Sequence, residues 1–223
     1  MDATDQFSLR GKVFHTIREN ILSGRYKYQE ELRESTLGKE LGVSRTPVRE
    51  AIQILEGQKL VYVVPGRATV VADIDPADIE KCYRPLADLE ALAAELACGK
   101  LTENDFFELE CALRDAKAAS LRDDAAAVMA CDERFHERIV QAAGNEYVRE
   151  FSRTLMLHIR RIKYHYFHLP AMREASAAQH MGIVEALRAE NAPLARDRMR
   201  EHWLRAMRGC LNETVAYLKK NEE

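Results

Sequence analysis

Leu41-Gly42-Val43-Ser44-Arg45-Thr46-Pro47-Val48-Arg49-Glu50-Ala51 is the stretch that decides how this chain is read. Gly42 supplies a turn, and Ser44 offers a side-chain oxygen to the free N–H groups of a helix start. Pro47 falls in the first turn of that helix, where a missing N–H does no harm. The spacing predicts a helix over 45–56, closed by Gly57. Arg45 and Arg49 lie four apart and share one face, while Val48, Ile52 and Leu55 fall on the other and can pack inward.

Working backwards, a short helix is expected over 35–41 with Ser35 as its N-cap. A longer one is expected over 8–24, where Val13, Phe14, Ile17, Ile21 and Leu22 recur at helical spacing. Working forwards, Leu60–Val64 and Ala68–Ala72 are β-branched runs flanking Pro65-Gly66-Arg67, a hairpin signal. Helix, short helix, tight turn, helix and two-stranded wing make a winged helix-turn-helix plan. Its last helix would present Ser44, Arg45, Thr46 and Arg49 to the major groove. An arginine can fork onto guanine O6 and N7, and hydroxyls at a helix start suit phosphates. Taken alone, the same arginines would also suit a solvated helix face, and helix-turn-helix geometry recurs in unrelated proteins.

Composition does not point to nucleic acid. The formal net charge is −3 over 223 residues; residues 1–72 hold 11 Lys/Arg against 9 Asp/Glu, and residues 73–223 hold 22 against 27. DNA binding would have to come from locally placed arginines. No apolar run approaches a membrane span, the first residues carry no secretory signal, and the five scattered cysteines never form a CxxC pair. Reduced thiols in a cytoplasmic protein are the expectation.

After Pro76 no strand pattern returns. Six helices are expected at about 76–98, 103–120, 124–143, 146–168, 171–190 and 193–219, broken at Gly99 with Thr102, Asp123, Gly144-Asn145, Pro170, and Asn191 with Pro193. Short loops make sequence neighbours antiparallel. The fold class expected is therefore mainly α: an N-terminal winged helix-turn-helix (1–73), a linker (74–77) and a C-terminal antiparallel six-helix bundle (78–223).

In that bundle Asp132 and His136 stand at i and i+4 on one helix, with His180 and His202 near the middles of two others. One carboxylate and three imidazoles suit a borderline divalent ion: zinc first, nickel or manganese as alternatives. Each residue alone is equally a packed polar group or a surface ion pair. His158, His165 and His168 form a competing cluster read as amphipathic or pocket-lining.

The 41–51 stretch closely resembles the recognition segment of the GntR family of bacterial regulators, and the resemblance runs from about Val13 through the wing. It implies base contacts by Arg45 and Arg49, backbone contacts by Ser44 and Thr46, and Gly66 at the wing tip beside the cationic Arg67. Members often carry an arginine at the start of the second helix; Ser35 stands there in this chain, with Arg33 nearby as a substitute. Residues 78–220 resemble the FCD-type effector domain, in its shorter six-helix branch. The segments that carry this are Leu89-Glu90, Asp132…Phe135-His136, Gly144-Asn145, His180…Ile183-Val184-Glu185-Ala186-Leu187 and Met199…His202. That resemblance implies a metal held by Asp132, His136, His180 and His202, with a small carboxylate effector beside it. The arginine often found four residues before the Leu-Glu glutamate is Leu86 here, leaving Arg84, Arg160 and Arg161 as effector candidates. The function expected is a homodimeric repressor of palindromic double-stranded operator DNA, with no enzymatic activity and no membrane partner. The alternatives are a regulator with a purely structural metal, and a metal-dependent hydrolase.

Overall fold

The computed structural model describes residues 8–64, 68–72, 76–166 and 169–221, without the side chains of residues 76, 161, 164–166 and 215–221. The chain forms two compact units, Met1–Ile74 and Asp75–Glu223.

In the first unit α1 (Leu9–Leu22) is capped by Ser8, whose hydroxyl accepts from the Gly11 N–H at 2.9 Å. Its buried stripe of Val13, Phe14, Ile17 and Ile21 packs on α3 (Arg45–Gly57), which buries Val48, Ala51, Ile52 and Leu55. Between them runs α2 (Glu34–Leu41). Ser35 is not its cap: Arg33 occupies that position in extended backbone and Glu34 opens the helix. An acidic side chain in the first turn faces the positive end of the helix dipole. Ser44 does stand at the N-cap of α3, but its side chain makes no capping hydrogen bond.

The turn between α2 and α3 is tight for two reasons. Gly42 has φ +66°, a left-handed conformation that side chains resist. The Val43 N–H donates to Gly38 O at 2.9 Å, and a Cβ on Gly38 would stand 2.9 Å from Val43 O. The wing strands are β2 (Val61–Val64) and β3 (Ala68–Val71), paired antiparallel with Val61 opposite Val71 and Val64 opposite Ala68. A third strand unforeseen in the sequence, β1 (Glu31–Leu32), pairs with β3 and gives the order β1-β3-β2. Gly66 and Arg67, expected at the wing tip, lie outside the described residues.

The second unit is helical throughout its described residues: α4 (Pro76–Ala97), α5 (Glu103–Leu121), α6 (Ala125–Ala142), α7 (Glu146–Tyr166), α8 (Pro170–Arg188) and α9 (Ala192–Asn221). Each boundary has a local cause. Thr102 and Asp105 form a reciprocal capping box, Asp124 accepts from the Ala127 N–H, and Asn145 and Asn191 accept from helix-start N–H groups. Neighbours α5 and α6, and α8 and α9, pack together as short loops predict. The most extensive packing, however, joins α4 to α9 from opposite ends of the unit, and α4 also meets α6 and α7. Tyr83, Leu86, Phe135 and Trp203 are fully buried there. Among the described residues no helix is long and apolar enough to cross a membrane.

Candidate metal centre and DNA-reading surface

At the start of α3, Ser44, Arg45, Thr46 and Arg49 are all exposed, while Val48 and Ile52 are buried. Arg49 is not loose. Its Nε donates to Glu34 Oε1 at 2.9 Å and its Nη2 to Glu34 Oε2 at 2.8 Å. That hydrogen bonding lowers the Glu34 carboxyl from its ordinary value. Arg33 is exposed at the start of α2 and paired with Glu31 at 3.3 Å.

In the helical unit Asp132, His136, His180 and His202 come together from α6, α8 and α9. One ligand atom from each lies within 4.8 Å of all the others, and all four residues are buried. His136 Nε2 and His180 Nε2 stand 3.2 Å apart, and His180 Nε2 lies 3.7 Å from Asp132 Oδ1. Two nitrogens on a tetrahedral zinc with bonds of ~2.0–2.1 Å would be separated by a similar distance.

The surrounding groups prepare these nitrogens as acceptors. His136 Nδ1 lies 2.7 Å from Glu90 Oε2, which also accepts from the Trp203 indole N–H at 2.9 Å. A carboxylate there fixes the proton on Nδ1 and leaves Nε2 bare, the usual arrangement behind a metal-binding histidine. His202 Nδ1 lies 2.9 Å from Gln179 Oε1, so the same tautomer follows, and His202 Nε2 is buried with no hydrogen-bond partner among the described residues. Burial, opposed by Asp132 but reinforced by His136 and Lys163, pushes the His180 imidazole down to about 3. Burial also depresses His202, so both rings are neutral at ordinary pH. For Asp132 burial acts the other way, but Lys163, His136 and His180 outweigh it and hold the carboxyl at about 2. An ionised carboxylate, neutral imidazoles and an orphaned buried nitrogen fit a divalent cation.

Three residues of this site, Glu90, Gln179 and Lys163, escape a reading of the sequence. Glu90 stands out in the sequence only as part of a Leu-Glu motif. Lys163 is buried on α7, donates to Asp132 Oδ2 at 2.7 Å and lies over the Trp203 ring at 4.5 Å. Its position four residues after the buried Ile159 is the signal that could have found it. The expected effector arginines are not brought to the cluster in the same way. Arg84 is exposed and paired with Glu80, and Arg160 is partly exposed and paired with Glu133. Arg161's side chain lies outside the described residues, as do His165 and His168; His158 is half-buried on α7.

The profile of the bacterial regulatory proteins of the gntR family matches residues 9–71, and that of the FCD domain matches residues 82–205. An HTH-type transcriptional regulator in the TAR-I ttuE-ttuC′ intergenic region of Agrobacterium vitis is 34% identical over 149 residues, covering 64% of this chain and 86% of the relative. The HTH-type transcriptional repressor RspR of Escherichia coli is 24% identical over 191 residues, covering 86% of this chain and 84% of the relative. In structure the chain is similar to McbR/YncC of Escherichia coli, with a TM-score of 0.77 at 22% identity over 97% of this chain and 99% of the other. A GntR regulator from Rhodococcus sp. RHA1 gives 0.78 at 23% identity over 91% and 97%. The Agrobacterium vitis relative is a transcriptional regulator and RspR a transcriptional repressor. The chain belongs to the GntR family of DNA-binding transcriptional regulators, with an FCD domain following its winged helix-turn-helix.

Proposed function

We propose that this regulator acts as a homodimeric repressor in the cytoplasm, and that its operator affinity is set by a small carboxylate bound beside a divalent metal in the helical unit. The reader is the segment 1–73, joined through 74–77 to the sensing segment 78–223. Asp132, His136, His180 and His202 hold the metal, with zinc the first choice by donor type. The observation that carries this reading is His202 Nε2, a buried acceptor without a hydrogen-bond partner among the described residues, beside the ligand atoms of Asp132, His136 and His180. Evolution rarely leaves such an atom unsatisfied in a folded core.

A bound divalent ion supplies Lewis-acid attraction for a ligand oxygen. The protein's own groups do the rest. Glu90 and Gln179 fix the tautomers of His136 and His202, Lys163 holds one oxygen of Asp132, and Phe135 stacks on His180 at 4.2 Å between ring centres. An acid that binds one arrangement of the helices better than another shifts the operator equilibrium by its differential affinity, typically ~1–3 kcal/mol. Arg45 and Arg49 read bases, Ser44 and Thr46 contact the backbone, and Arg33, Gly66 and Arg67 extend the contact to phosphates or the minor groove. Repression is supported by likeness to RspR, which is a repressor.

A structural metal without sensing is the second reading, favoured by the near-complete burial of all four donors. Thermal-shift screening of carboxylates on the metal-loaded protein separates the two. Stabilisation by an acid, together with a changed operator affinity, supports sensing; indifference to every acid supports the structural role.

A further inference from the structure

A cavity of about 340 Å³ lies among α5, α6 and α8, near the lower end of the ~300–1,000 Å³ typical of small-ligand sites. Its wall is mostly apolar, with Ala112, Ala116, Val128, Phe135, Ala177 and Met181 lining it. Phe135 stacks on His180 with ring centres 4.2 Å apart, and both residues belong to the wall.

The charged groups of that wall are spent on the protein itself. Arg173 donates from Nη2 to Asp123 Oδ1 at 2.6 Å, and its Nε and Nη1 are closed to solvent and therefore to a ligand. Asp132 accepts from Lys163 through Oδ2 at 2.7 Å and from the Ser176 hydroxyl through Oδ1 at 3.5 Å. Burial pushes the Cys131 thiol up and the His180 imidazole down, so both are uncharged at neutral pH. Lys117 and Glu174, of opposite sign, are exposed at the edge, where water solvates them. An anion entering the cavity would give up hydration that none of the buried groups returns. An uncharged apolar molecule gains by leaving water for the same walls.

We infer that this cavity takes an uncharged apolar small molecule of the class of an aromatic bicycle, held by burial against Ala116, Val128, Phe135 and Met181. Size agrees with that class: an apolar cavity of ~150 Å³ takes a benzene, and this one is about twice as large. The molecule is a second ligand, additional to the metal-bound acid, and needs neither that acid nor a metal. A separate depression of about 400 Å³ borders His202, but Asp197, Arg198, Glu201 and Arg205 line it and suit no apolar occupant.

The test is calorimetric titration of the full-length protein at pH 7 with 2-naphthol and its charged counterpart 2-naphthoate. Wild type is compared with Ala116→Phe and Ala177→Phe, which fill the cavity from α5 and α8. Circular dichroism checks that each variant keeps its helices, so one that fails to fold leaves the other to decide. Wild type should bind one 2-naphthol per chain, with or without prior chelation, and 2-naphthoate at least about tenfold more weakly, because its carboxylate is desolvated without a partner. Each folded variant should lose 2-naphthol binding. Failure of wild type to bind 2-naphthol, equal affinity for 2-naphthoate, or binding untouched in a folded filling variant would overturn the inference. Each of those results leaves the metal-linked carboxylate reading standing, since that reading places its ligand on the metal and not on these walls.

Discussion

Glu34, at the first position of α2, accepts two hydrogen bonds from Arg49 of the recognition helix, through Nε and Nη2. The contact is side-on. A guanine is read by the outer end of the guanidinium fork, so Glu34 can aim Arg49 at a base without covering that end. Replacing Glu34 by Ala is expected to weaken specific operator binding several-fold while strengthening binding to unrelated duplex, because it frees the arginine and removes a negative charge near phosphates. Fluorescence titration with both duplexes at one salt concentration checks this. A parallel loss on both would assign Glu34 a merely structural role.

Arg45 is exposed on the same surface. Arg45→Ala is expected to cost roughly 1–3 kcal/mol of operator affinity and to relax preference at one base position. Gel-shift assays against single-base operator variants read both effects, and unchanged affinity would remove Arg45 from the interface.

Gly38→Ala is a test of the turn that aims α3. The new Cβ would lie 2.9 Å from Val43 O, a backbone atom that cannot rotate away. A loss of about 1–3 kcal/mol in unfolding free energy is expected, as for other overpacked sites. Chemical denaturation measures it.

Lys163 and Asp132 form an ion pair in which both side chains are 4% exposed. Without a metal, Lys163→Met leaves the Asp132 carboxylate uncompensated, a loss of about 3–5 kcal/mol for a broken buried pair. A bound divalent cation would restore much of that balance. Thermal unfolding of the variant should therefore respond more to added zinc than wild type does. Equal responses would separate Lys163 from the metal site.

Acid stability has a clear contributor away from this cluster. The Asp105 carboxyl is held below 3.8 by the Thr102 backbone N–H, with the Thr102 hydroxyl and Arg138 adding to it against the effect of burial. A depressed carboxyl contributes stability that is complete above pH 3.8 and disappears as pH falls through its lower folded value. Asp105→Asn should be less stable than wild type at pH 7, and the gap should close below pH 3.8. Denaturation midpoints across that range decide the matter, and a gap that persists in acid would contradict the assignment.

The parts that were readable in the sequence are those set by local rules. Gly42, Pro47 and the 3.6-residue stripe of Val48, Ile52 and Leu55 mark α3, and the breaks at Gly144-Asn145 and Asn191 mark helix ends. Asp132 and His136 share a helix, but their meeting with His180 and His202 became legible only through family resemblance, since no spacing encodes how three helices converge. The two-residue strand β1 has no periodicity of its own and exists through its pairing with β3. Glu34, Glu90 and Lys163 are charged residues that composition assigns to the surface. Their roles come from partners 15 to 113 positions away.

Metal removal addresses the account most directly. Protein purified without a histidine tag or chelator is analysed for bound elements, alongside His180→Ala and His202→Ala, with thermal unfolding before and after chelation. Wild type is expected to carry a stoichiometric divalent metal, most of it lost in both variants, and to gain about 2.7 kcal/mol of stability when free metal stands a hundredfold above its dissociation constant. Wild-type protein without metal that neither takes up nor is stabilised by zinc, nickel or manganese would contradict it.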